Sequence, residues 1–232
     1  MKNFSNTYIF IFATVMVAIV ALVLSTAALL LQPRQERNAE IEKKRNILAS
    51  VGVEATETDA ELLYDKYVTE SFVLNHKSEK VEGEAFDVVV LKEQRKAIEE
   101  QIFPVFVASL DSGAKNFIIP LQGKGLWGPI WGYMALNDDM KSIYGVTFDH
   151  KSETPGLGAE INTSAFEDMF KNKSLFDGDE FKGILVQKGG ADPDDIGAVD
   201  AISGGTITSK ALEKMVYDCI VNYVDFLKTY SN

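Results

Sequence analysis

Two threonines and a serine follow a glycine pair in the stretch VDAISGGTITSKALE, Val199 to Glu213, just where a helical periodicity sets in. A helix start presents unpaired backbone N–H groups and the positive end of the helix dipole, so it stabilises an anion, and phosphate above all. Gly204 and Gly205 let the backbone approach such a group closely, and Thr206 places a hydroxyl in the same field. Thr208 or Ser209 is placed to cap the helix, and capping alone is the other reading of these residues. The stretch has neither the lysine of a P-loop nor the strand-first spacing of a dinucleotide fingerprint. A second stretch, HKSETPGLGAE from His150 to Glu160, reads as a polar loop after a strand. Pro155 fixes its path, and Gly156 and Gly158 permit tight turns. The histidines are His76 and His150 and the one cysteine is Cys219. That set offers no internal disulfide and no zinc or iron–sulfur ligand cluster. Redox or transfer chemistry therefore has to come from an organic cofactor or from other subunits.

The elements that must position these residues divide the 232-residue chain unevenly. The run YIFIFATVMVAIVALVLSTAALLL, Tyr8 to Leu31, carries no charge and lies between Lys2 and Arg34. As a helix it rises about 36 Å, enough to cross a hydrocarbon core of roughly 30 Å with some tilt. It is longer than the apolar core of a signal peptide, which predicts an uncleaved anchor that crosses the membrane once. Counting Lys2 against Arg34, Arg37, Lys43, Lys44 and Arg45 places the following domain in the cytoplasm. The net charge of −11 excludes a nucleic-acid partner, whose phosphates call for a basic face.

Beyond the anchor, a densely charged segment ending in NILASVG predicts a helix stopped by Gly52. Thr58 with Glu61 forms a capping-box pattern for a short helix. Strands are expected in YVTESFVLN, AFDVVVLK, IFPVFVASL, NFIIPLQ, IWGYMALN and SIYGVTFDH, with a hairpin at Asn137–Asp139 and a further strand in KGILVQK. TSAFEDMFKN reads as a short helix. Leu212, Met215, Val216, Cys219, Tyr223 and Leu227 mark one long C-terminal helix from Ser209 to about Tyr230. Cys219 falls on its apolar stripe as core filler. The fold class is α+β: a tip of residues 1–7, one N-terminal transmembrane helix over 8–31, a helical neck over 32–66, and a single soluble domain over 67–232 with a mainly antiparallel sheet.

ETPGLG, followed some fifty residues later by an aspartate and SGGT, resembles the FMN-binding domain of membrane redox subunits that carry covalent flavin. In that family the motif runs aspartate, two residues, serine or threonine, glycine, usually alanine, then the threonine whose hydroxyl is joined to FMN by a phosphoester bond. Matched onto Asp200, Ser203, Gly204, Gly205 and Thr206, the resemblance implies that Thr206 carries FMN within a binding region of about residues 115–230. Gly205 departs from the usual alanine. Two sister families share these motifs, the C subunits of Na⁺-translocating NADH:quinone reductases and the G subunits of ferredoxin:NAD⁺ reductase complexes. The tract GKGLWGPIWGYMAL, Gly123 to Leu136, and the neck ending in NILASVG look like the first of the two.

The resemblance places Glu153, Thr154, Leu157 and Gly158 beside the flavin ring, with the Thr154 hydroxyl as donor and Leu157 as an apolar wall. Trp127 or Trp131 is a candidate to cover the ring, and Asp200 to support the loop or be read by a flavin transferase. That separate transferase moves FMN from FAD, so no catalytic residue and no metal ligand is expected in this chain. The resemblance further implies the remaining subunits of a membrane redox complex as partners. It implies electron relay from NADH through this FMN toward quinone with Na⁺ export, in the cell inner membrane with the domain on the periplasmic side. That last point conflicts with the Lys/Arg count. A membrane-anchored, non-redox binding domain is the alternative of a different class.

Overall fold

The computed structural model describes residues 5–230. Lys2 of the charge count, part of the tip and the last two residues of the expected domain lie outside them. The chain falls into two compact units, Met1–Lys43 and Lys44–Asn232. In the first, helix α1 (Asn6–Ser50) begins and contains an exposed apolar stretch that is long enough to cross a membrane. The hydroxyls of Thr14 and Thr26 donate back to the carbonyls of Phe10 and Leu22 at 2.9 and 2.8 Å, which satisfies them without water.

The second unit starts inside the last turns of α1, where Ile47, Leu48 and Val51 are buried, whereas the sequence places the start of the soluble domain at residue 67. Gly52, at φ +74°, closes α1. The Gly52 N–H donates to Ala49 and the Val53 N–H to Leu48, the paired bonds of a Schellman stop. Helix α2 (Ala60–Tyr67) is capped at Asp59 without a side-chain bond. The capping box expected at Thr58 is not formed, because the helix starts at Ala60 with Asp59 as its N-cap, so Thr58 lies one residue outside the cap with its hydroxyl bonded to that of Thr56 at 3.0 Å.

Six strands, β1 (Val68–Leu74), β2 (Lys80–Val81), β3 (Phe103–Ser109), β4 (Lys115–Lys124), β5 (Pro129–Leu136) and β6 (Ile143–His150), form one sheet in the order β2-β1-β3-β4-β5-β6. Every neighbouring pair in it is antiparallel. The strand expected in AFDVVVLK is absent: Ala85–Asp87 is a 3₁₀ turn and Val90–Glu93 a single helical turn, α3. Its apolar run supplies a plug, with Ala85 and Val88 packed under the sheet, and a short apolar run carries no period that separates the two forms. Then follow α4 (Ser164–Glu167), a small hairpin of β7 (Phe176–Asp177) and β8 (Glu180–Phe181), and a parallel pair of β9 (Leu185–Gln187) and β10 (Ala198–Asp200). The chain ends in α5 (Thr206–Ile220), a 3₁₀ turn, and α6 (Val224–Tyr230).

Strand alternation sends side chains to two cores. Val105, Val107, Phe117, Ile119 and Leu121 meet Leu212, Met215, Val216 and Ile220 of α5 on one face. Phe106, Ala108, Ile118, Tyr133 and Ala135 meet Ile47, Val51, Ala85 and Val88 on the other. Two glycines allow the close approaches. A Cβ on Gly123 would stand 2.7 Å from the Cβ of Met215, and one on Gly145 would stand 2.6 Å from the Ser50 carbonyl oxygen.

Edge strand β6 offers the Phe148 N–H to Glu167, whose carboxylate accepts it at 2.7 Å. Burial, with Asp168 and Asp149 nearby, pushes the Glu167 carboxyl up to about 7, against the lowering effect of the Phe148 bond. A raised acid pKa gives a contribution that is full below the unfolded value and is lost as pH rises through the folded one. Glu167→Gln keeps an acceptor for Phe148 and removes the charge. Urea melts across pH are expected to show it about 1–2 kcal/mol more stable than the wild type at pH 8, after allowance for solvent screening, and equal to it near pH 4.5. A pH-independent difference between the two would contradict this assignment.

Candidate flavin-binding site

Three loops converge on one carboxylate. Glu153 is 4 % exposed. Its Oε1 accepts the Trp127 N–H at 2.9 Å, from the loop joining β4 to β5, and its Oε2 accepts the Thr208 hydroxyl at 2.7 Å, from the first turn of α5. Two glycines make room for it. A Cβ on Gly125 would lie 2.5 Å from Oε1, and one on Gly158 would lie 2.6 Å from Oε2 and 2.4 Å from the Thr208 Oγ1. Further bonds hold the loops in place: the Ser152 hydroxyl donates to the Trp127 carbonyl at 3.2 Å, and the Glu153 N–H donates to His150 Nδ1 at 3.3 Å.

The ETPGLG loop closes on itself. The Thr154 carbonyl accepts the N–H groups of Leu157 and Ala159, both at 3.1 Å, and Glu160 accepts the Gly156 N–H at 2.9 Å. Gly156 takes φ +74°, the left-handed region its type permits. Ile202 to Gly205 form a turn in which the Gly205 N–H donates to the Ile202 carbonyl at 3.0 Å. Gly204 sits third in it at φ +75°, where such a turn demands glycine. The loop and the turn touch: a Cβ on Gly204 would fall 2.6 Å from Leu157 Cδ2.

Helix α5 begins at Thr206 rather than at Ser209. Its N-cap is Gly205, with no side-chain cap bond. Neither hydroxyl expected to cap does so, because both lie inside the first turns with other tasks. The Thr208 hydroxyl donates to Glu153, and the Ser209 hydroxyl oxygen accepts the Ile202 N–H at 3.0 Å, folding the glycine turn back onto the helix. The opening N–H groups of α5 are thus left to an external acceptor, with the half-buried Thr206 as first helical residue.

Exposed apolar side chains lie on the same three segments, Leu157 at 42 % against the glycine turn, Ile207 at 62 % next to Thr206 in the chain, and Trp127 at 66 % on the loop that Glu153 holds. A glycine turn, an uncapped helix start, a hydroxyl on its first residue and apolar surface alongside fit a phosphate-bearing aromatic group such as FMN. Ser203 lies exposed on the turn. Trp131 is half-buried within β5, paired with Gln122 and Asp149. Asp200 turns away from the turn that follows it and accepts the Ala191 N–H at 2.6 Å, holding the loop between β9 and β10.

Burial and its two bonds make Glu153 an internal brace. Thr208 is the residue that motif reading missed, for its partner lies 55 residues away in sequence. Among the described residues, no group of three or more histidine, cysteine or acidic side chains is arranged to hold a metal. Burial pushes the Cys219 thiol up to about 11, although the Gln122 N–H and Gln94 side-chain bonds act against it. A thiol so shifted is core filler, not a nucleophile.

Residues 125–221 match the FMN-binding domain family. The chain is similar to the C subunit of the Na⁺-translocating NADH-quinone reductase from Parabacteroides distasonis, whose crystal structure gives 43 % identity and a TM-score of 0.79 over 85 % of this chain and 96 % of that one. The crystal structure of Shewanella oneidensis NqrC gives 27 % identity and a TM-score of 0.69, over 84 % and 99 %. The corresponding protein of Pseudomonas aeruginosa, also named as the C subunit of that reductase, is 27 % identical over 88 % of this chain and 89 % of its own length.

Gly205 has a local physical cause. A Cβ there would meet Ile202 Cγ2 at 2.9 Å and the Leu157 backbone carbon at 3.2 Å. Gly205→Ala is expected to cost about 1–2 kcal/mol by overpacking, and Ile202→Ala, which removes the Cγ2 contact but leaves the Ile202 Cβ at 3.1 Å and the Leu157 backbone in place, is expected to relieve part of that cost. A double-mutant cycle by denaturant unfolding measures the coupling, and strict additivity would refute the steric account.

Proposed function

This chain belongs to the NqrC family, the C subunits of the Na⁺-translocating NADH-quinone reductase, and from that premise we propose that it carries FMN covalently on Thr206 and relays electrons within a membrane redox complex. An FMN-binding, electron-carrying subunit of an oxidoreductase complex follows from the family. The finer reading, attachment at Thr206, rests on one observation: an uncapped α5 opens on that residue directly after a turn that Gly204 shapes at φ +75°.

The chain's own residues then have separate tasks. The opening N–H groups and dipole of α5 stabilise the charged phosphate. Gly204 and Gly205 leave space for it, while Trp127 and Leu157 offer apolar cover to a ring. FMN held there supplies one- and two-electron transfer. Loading needs a separate flavin transferase and FAD. In that reading the Thr206 hydroxyl would be the acceptor for the flavin-side phosphate, with AMP as the leaving group and the hydroxyl proton released to solvent. A phosphoester tether keeps the cofactor in a shallow site. Partner subunits of the complex supply NADH oxidation, quinone reduction and Na⁺ export. The single apolar segment of α1 anchors the chain in the cytoplasmic membrane with the domain on the periplasmic side, the interleaved acids Glu36, Glu40 and Glu42 offsetting the basic residues beside it.

Full-length chain coexpressed with a flavin transferase is expected to gain the mass of FMN less one water and to keep its yellow colour through denaturation. Thr206→Val is expected to lose both, and a modified Thr206→Val chain would refute the assignment. Orientation is tested separately with Glu57→Cys, an exposed position in a chain whose native thiol is buried. An impermeant maleimide is expected to label it in spheroplasts, and protection there would place the domain in the cytoplasm.

A further inference from the structure

Thr206 is bracketed. Before it, Leu157 lies against the turn so closely that a Cβ on Gly204 would meet Leu157 Cδ2 at 2.6 Å. After it, Thr208 is tied to Glu153. Both braces spring from residues 153–158, a loop whose own bonds close it. The same carboxylate fixes the Trp127 backbone through its N–H, while Ser152 fixes the Trp127 carbonyl. A tryptophan exposed at 66 % thus stands on a backbone held at both ends. Solvent-facing aromatics on a loop ordinarily lose entropy when they are ordered on binding, and here the ordering is done in advance by a buried carboxylate walled in by Gly125 and Gly158.

We propose that Glu153 is a positioning residue for flavin loading. Through the Thr208 hydroxyl it sets the first turn of α5, and through the Trp127 N–H it sets the aromatic loop, so that the segments carrying Thr206 and Trp127 are held to one another with little freedom when the transferase presents FAD. The inference rests on the reading of Thr206 as the attachment point. It assigns Glu153 no contact with the flavin and no part in moving a proton. The role is one of hydrogen bonding, so Glu153→Gln retains it: the amide oxygen accepts from Trp127 and the amide nitrogen donates to the Thr208 oxygen.

The test is the rate at which purified transferase and FAD modify full-length chain, read by intact mass, with Tm measured in parallel. Glu153→Ala is expected to load at least about tenfold more slowly than the wild type, since small misplacements of a reacting group are costly. Thr208→Val is expected to be intermediate, and Glu153→Gln close to the wild type. Val73→Ala, in the core on the far face of the sheet, controls for lost stability and is expected to load normally. Equal loading by Glu153→Ala and Val73→Ala, or Glu153→Gln as slow as Glu153→Ala, would overturn the proposal. A wild-type chain that takes no flavin at Thr206 would sink the attachment reading instead. The brace is then judged on unloaded chain by tryptophan anisotropy in a Trp131→Phe background. Glu153→Ala is expected to lower the Trp127 signal and Glu153→Gln to preserve it, and an unchanged signal in Glu153→Ala would overturn the brace.

Discussion

The Glu153 carboxylate takes the Trp127 N–H on one oxygen and the Thr208 hydroxyl on the other, with 4 % of the residue exposed. A buried charge costs several kcal/mol unless it is hydrogen-bonded. Each donor is therefore held by the penalty of leaving the carboxylate short, and three segments distant in sequence share one arrangement. Gly125 and Gly158 belong to the same constraint, since any side chain at either position would displace the oxygens. The glycines of the two motifs thus do different work. Those at 156 and 204 supply backbone conformation, at φ +74° and +75°, whereas those at 125 and 158 supply volume.

The sheet brings these segments within reach. Helix α5 lies along β4, and the missing side chain of Gly123 lets Met215 approach the strand directly. The far end of β4 opens into the Trp127 loop, and the adjoining end of β6 runs into the ETPGLG loop, with the Lys151 N–H bonded to the Pro129 carbonyl across the last rung of β5. Antiparallel pairing of β5 with β6 from Ile130↔His150 onward fixes that register, and a one-residue slip would reverse both faces and scatter the loops. The opposite face, covered by the end of α1, Ala85 and Val88, contributes no site residue. It makes the sheet a rigid floor.

Much of this was legible in the sequence where a physical period or a backbone demand leaves a trace. The strands over 103–109, 115–124, 129–136 and 143–150 stand out as short apolar runs set between turn residues, Gly52 marks a helix stop, and the apolar stripe of α5 predicts the face that is buried. The two loop motifs stand out because glycines cluster where turns need them. What failed was information carried by partners. The valine run at 88–90 reads as a strand, yet only Val88 is packed under the sheet, Val89 is exposed and Val90 opens the helical turn α3. Thr58 has the residue type of a cap, but the helix starts one residue later, with Asp59 at the cap position and the Thr58 hydroxyl paired with Thr56. Thr208 and Ser209 look like caps beside a glycine pair, and only the fold shows that one is tied to Glu153 and the other to Ile202.

Openness explains why a tether suits this site. Trp127, Leu157 and Ile207, on the three segments that meet at Glu153 and α5, remain 42 to 66 % exposed, and Thr206 is half-buried, so the apolar area available to enclose a ring is small. Pockets that retain dissociable cofactors bury most of the ligand surface, and a helix start adds only about 1 kcal/mol for an exposed anion. A site built this way holds a flavin by its phosphate and leaves the ring accessible. Accessibility is what an electron carrier needs, because donor and acceptor must both come close to the same ring. Binding strength and access conflict in a noncovalent site, and the bond proposed at Thr206 would separate them: the chain would then have only to orient the group, the task proposed for the brace beneath it.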